Sequence, residues 1–86
     1  MNSLAFIKHA NKLSTRIKLL KAASYTDDEM KAAKLEVQKE LNQLFAGLQN
    51  PTLPSAYKLR DTAKTNGFTV EPKIEHRLQQ ADSMWA

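Results

Sequence analysis

The sequence predicts an all-α fold, an antiparallel helical hairpin followed by a smaller helical pair. Three observations predict it. The composition is rich in Lys, Ala, Leu and Gln, with only 2 Gly and 3 Pro in 86 residues, which favours helix. Apolar residues recur at alternating spacings of four and three, the pattern of a helix seam and not of a strand. A short polar turn with a capping signal then separates two such seams.

The first helix is predicted over about Ser3 to Ala23, with Phe6, Ala10, Leu13, Ile17 and Leu20 on its seam. Ser24-Tyr25-Thr26 forms the turn. Thr26 and Glu29 make a capping box, and Asp27 and Asp28 place negative charge where the helix dipole favours it. The second helix is predicted over about Asp27 to Gln49, with Met30, Val37, Leu41, Leu44 and Leu48 on the seam and Lys34 its single polar member. Matched seams and a short connection give the hairpin.

Asn50-Pro51-Thr52-Leu53-Pro54 ends the hairpin, because prolines so placed cannot continue a helix. It is the one candidate hinge. A third helix is predicted over about Ser55 to Thr65, stopped by Asn66-Gly67. Phe68-Thr69-Val70 reads as a short extended piece. Pro72 opens a fourth helix to about Met84, with Ile74, Leu78, Ala81 and Trp85 on its stripe.

A chain of this length is expected to form one domain with a modest core. It has no Cys, so no disulfide supports that core, and oligomerisation or a partner would add burial. The absence of Cys fits a reducing compartment, so a cytoplasmic location is expected. No apolar run approaches the ~18 residues that a membrane span needs. Lys8, His9 and Lys12 interrupt what would be the apolar core of a secretory signal.

Charge is unevenly spread over a chain of net charge +4. The segment up to Thr26 carries Lys8, Lys12, Arg16, Lys18 and Lys21 and no acid; the first acid is Asp27. The second helix is net acidic. Lys8, Lys12 and Arg16 form an i, i+4 stripe away from the apolar seam, with Leu19 inside the basic face. The stripe is a candidate surface for an acidic protein or for phosphates. Its plain alternative is a solvated face partly neutralised by the second helix. Leu35 lies opposite the seam of the second helix.

Catalytic and metal chemistry find little support. His9 and His76 are the only histidines and there is no Cys; zinc needs several N, S or O ligands at close spacing, and the adjacent Glu75 and His76 point to different helix faces. Ser14 and His9 are not at contact spacing, and Ser83 lies too far from His76 for a direct hydrogen bond. Glu36–Glu40 and Glu71–Glu75 are i, i+4 pairs of the kind helices carry in water. No Gly-rich loop is present. No catalytic residue, metal or cofactor is expected.

Leu59, Gly67-Phe68, Ile74 and Arg77-Leu78 follow a helix, extended piece, helix order that resembles SAP and LEM-type modules over about 20 residues. The loop is about three residues shorter, lacks Gly-x-Lys, and has Glu71 where a Lys is usual. The resemblance implies Lys58, Arg60, Lys64, Lys73 and Arg77 as phosphate contacts. The alternative is a helical pair packed on the hairpin.

Two functions are therefore expected. The first is a non-catalytic regulator or adaptor that binds an acidic protein surface through Lys8, Lys12, Arg16 and Leu19. Small, basic, Cys-free helical chains of this kind are common among phage-encoded inhibitors and modulators. The second is DNA or RNA binding through the same stripe or the C-terminal pair. Leu35 and Trp85 are candidate interface anchors. A homodimer is also expected, formed by swinging the C-terminal pair about residues 50–54, with Trp85 at least partly buried.

Overall fold

In the computed structural model, backbone is described for residues 2–85 and side chains for residues 2–81. Four helices follow in order: α1 (Ser3–Leu20), α2 (Asp27–Ala46), α3 (Pro54–Thr65) and α4 (Pro72–Trp85). The hairpin and the smaller pair are both present. The expectation for the Trp85 side chain lies outside the described residues.

The first two helices begin where a side chain satisfies free N–H groups, and α3 begins on a proline, which has none to satisfy. Asn2, not foreseen as a cap, accepts a hydrogen bond from the Ala5 N–H at 2.8 Å. The Thr26 capping box forms in both directions, with Glu29 reaching back to the Thr26 N–H. Pro54 occupies the first turn of α3.

Two helices end earlier than the periodicity alone predicts. α1 stops at Leu20, where Ala22 N–H bonds Leu19 O in a tighter turn. α2 stops at Ala46 rather than near Gln49, where the Gly47 N–H is shared between Gln43 O and Leu44 O and the Leu48 N–H bonds Phe45 O. That tighter turn sends Leu48 back into the core, where it is buried.

α3 closes on a Schellman motif. Gly67 has φ +85°. The Phe68 N–H reaches Ala63 O at 2.9 Å and the Gly67 N–H reaches Lys64 O at 3.2 Å. The motif drops Phe68 onto the core, where it is buried with Ala63.

The helices run up, down, up and down. α1 and α2 are antiparallel, with Phe6 and Phe45 meeting near one end at 6.1 Å between ring centroids. Ile17 and Leu20 at the end of α1 share a cleft with Asn66 and Phe68 at the end of α3. The backbones of α1 and α3 approach over a longer stretch than those of α1 and α2. Small buried residues, Ala10 and Ser14 on α1 and Ala56 and Ala63 on α3, leave room for that approach. One core joins all four helices, from Phe6 through Leu41, Phe45 and Leu59 to Leu78. Burying side chains of this size stabilises the fold by ~1.5–3 kcal/mol each.

The C-terminal pair docks on its own hairpin. Tyr57 donates to Leu78 O at 3.0 Å, holding α4 on α3. Arg77 donates to Leu48 O at 3.2 Å, holding α4 against the end of α2, a position where a cation is favoured. The 50–54 segment is an ordered turn: Asn50 Oδ1 accepts from the Thr52 N–H at 3.0 Å and from its hydroxyl at 2.6 Å.

The extended piece before α4 has a partner that periodicity did not reveal. The Gln38 side chain on α2 accepts from the Thr69 N–H at 3.0 Å and donates to Thr69 O at 2.8 Å. It pairs with both backbone groups as a neighbouring strand would. Its Nε2 also bonds Asn42 Oδ1 at 3.0 Å.

Two stability results are expected. A Cβ at Gly67 would meet nothing within 4 Å, so the cost of Gly67→Ala is conformational. It should be about 1–2 kcal/mol in urea unfolding, with Gly67→Asn losing less. An equal loss for both variants would exclude this account. Gln38→Ala should cost about 1–2 kcal/mol and speed hydrogen exchange at the Thr69 amide; unchanged exchange there would show that the clamp is not what protects it.

Candidate basic interface on α1

α1 presents its seam to two neighbours and leaves its opposite face to water. Helical geometry puts Leu4, Lys8, Lys12 and Leu19 on that outer face, at intervals of four, four and seven. All four are exposed. Leu4 and Leu19 are 62% and 60% exposed, so more than half of each residue's surface meets solvent. The segment up to Thr26 has no acid to neutralise this face.

The predicted stripe divides at Arg16. Lys8 and Lys12 remain free on the surface, whereas Arg16 forms an ion pair with Glu40 of α2. This contact joins the basic first helix to the acidic second one. Both side chains are more than two-fifths exposed, so it contributes little to stability.

Beside that ion pair runs a groove of about 360 Å3 between α1 and α2. Leu13 and Leu44 line it. His9, Lys12 and Arg16 stand on the α1 side, and Glu40 and Gln43 on the α2 side. The sequence pointed to Lys12 and Arg16 but not to His9, Glu40 or Gln43, whose meeting depends on how the two helices align. Leu4 continues the i, i+4 stripe by one step and was legible in the spacing.

The second predicted set is largely engaged within the fold. Arg60 pairs with Asp61 at 3.1 Å and lies over the Tyr57 ring at 5.3 Å from its centroid. Lys64 approaches Glu75 at 3.3 Å. Arg77 is spent on Leu48 O. Lys58 and Lys73 are exposed. Of the five, Lys64 and Arg77 therefore join α4 to its neighbours and Arg60 is paired within α3, so the set does not form one free basic surface.

Leu35 is 66% exposed. It borders a shallow depression with Gln38, Gly67 and Phe68, away from the α1 face, so Leu19 and Leu35 do not form one patch. Trp85, the other anchor candidate, has no described side chain. Among the described residues no three His, Cys, Asp or Glu side chains gather as metal ligands. No helix among them is long and apolar enough to cross a membrane.

A double-mutant cycle on Arg16→Ala and Glu40→Ala should return a coupling of about 1 kcal/mol or less in denaturant unfolding. A much larger coupling would mean that the pair holds the hairpin together.

Comparison of the chain with protein-family models, curated proteins and solved structures yields no match.

Proposed function

We propose that the protein is a non-catalytic helical adaptor or inhibitor that binds an acidic surface of another protein through the outer face of α1. One observation carries this reading: Leu4 and Leu19 bracket Lys8 and Lys12 on a face that no other helix covers. A phosphate backbone offers a leucine little apolar surface. A protein surface offers acids for the lysines and apolar side chains for the leucines. The pairing of Arg16, Arg60 and Lys64 with carboxylates of the same chain also lowers the free positive charge available to a nucleic acid.

Lysines at such a rim act mainly on encounter, through long-range attraction that salt screens. The leucines supply burial, worth ~1.5–3 kcal/mol for each side chain fully covered.

The double variant Lys8→Glu, Lys12→Glu should retain the fold and lose partner capture in a pull-down from native host cells. Equal recovery would exclude this face. A gel shift with duplex DNA, single-stranded DNA and RNA should show no complex at micromolar protein. A complex whose affinity falls by roughly 0.9 log units per log unit of salt for each phosphate neutralised would instead establish nucleic-acid binding.

A further inference from the structure

We propose that the groove between α1 and α2 receives an apolar side chain from an acidic amphipathic helix of the partner, and that a partner carboxylate takes Arg16 from Glu40. This rests on the protein-binding reading above and adds the mode of binding.

The groove has the size and lining for it. About 360 Å3 is at the small end of ligand clefts, which run roughly 300–1,000 Å3. It is an open groove with room for an anchoring side chain and part of the helix that carries it, and too small for a folded surface. Leu13 and Leu44, themselves only 5% and 6% exposed, form the apolar floor beneath that side chain.

Charge then selects the occupant. The α1 wall carries His9, Lys12 and Arg16, with Lys8 one turn away, and no acid. The α2 wall carries Glu40, with Glu36 one turn before it and Lys39 one turn before Gln43 on its outer edge. A visiting helix must therefore place its acids over α1, and the α2 acids repel the reversed placement.

The protein already contains a copy of the recognition unit. Glu40 sits on Arg16, and Leu44, four residues later on the same helix face, lines the same groove. A partner helix with a Glu-x-x-x-Leu pair would present the same two groups at the same spacing. Docking of an amphipathic helix by anchors at such intervals is an established mode of recognition. The Arg16–Glu40 pair is exposed and weak, so it can be exchanged for a like contact.

The test is a titration of the 15N-labelled full chain, followed by amide shifts. Three synthetic helical peptides serve as probes. One repeats Glu-x-x-x-Leu, one has Lys for every Glu, and one has Ala for every Leu. The first should shift the amides of His9, Leu13, Gln43 and Leu44. The other two should bind at least about ten-fold more weakly, a difference of about 1.4 kcal/mol. Glu40→Gln frees Arg16 and should tighten binding of the first peptide about two- to five-fold, the worth of an exposed ion pair. Arg16→Gln should weaken it.

Equal binding of the Lys peptide, or no gain from Glu40→Gln, would overturn the proposal. Shifts confined to Leu4, Lys8 and Leu19 would overturn the groove while leaving the outer face of α1 as a protein-binding surface. No shift with any of the peptides at millimolar concentration would also overturn the groove, and the pull-down with Lys8 and Lys12 reversed then decides the broader reading separately.

Discussion

The face of α1 formed by Phe6, Ala10, Leu13, Ser14 and Ile17 must serve two neighbours at once. All five residues are buried. A single seam of large residues would hold one partner helix at a distance and leave the other unpacked. Here the seam is graded. Phe6 meets Phe45 on α2, while Ala10 and Ser14 allow the α3 backbone to come near. The rest follows from this. α3 can occupy that side only because the 47–53 connection returns the chain beside α1, and α4 is then placed by Tyr57 and Arg77.

Serving two neighbours with one face also determines what α1 has left over. Its opposite side is never covered, so its lysines and two leucines stay in water. The molecule is extended, 44 by 22 by 18 Å, with a radius of gyration of 13.3 Å against about 12 Å for a rounded chain of this length. More helix surface is exposed than a rounder packing would leave. The groove borders that uncovered side, between Lys12 and Arg16 of α1 and Glu40 and Gln43 of α2.

The fold was legible wherever the signal was local. Thr26 and Glu29 are three residues apart, and Gly67 follows directly on the last turn of α3, so both ends could be read from neighbouring letters. Gly47 was equally local, yet the regular seam through Leu48 hid it: Leu48 is a core residue without being a helical one. The contacts that escaped are those joining distant residues. Gln38 with Thr69 and Arg16 with Glu40 depend on inter-helix register, which spacing within one helix does not fix. The basic face was readable for the same reason as the caps, because i, i+4 stripes are a property of one helix alone. The division of that stripe, with Lys8 and Lys12 free and Arg16 engaged, required α2 to be in place.

The approach of α1 to α3 has a consequence for the order in which the chain acquires structure. Residues of α1 wait for Ala56, Leu59 and Ala63, more than forty positions later in the sequence. During synthesis the first two helices emerge together and can pair at once, because their contacts are short in sequence. The Ala10–Ser14 edge then stands open until α3 has left the ribosome. A nascent hairpin is thus a half-finished core with one side wet. The small size of Ala10 and Ser14 keeps that temporary surface modest.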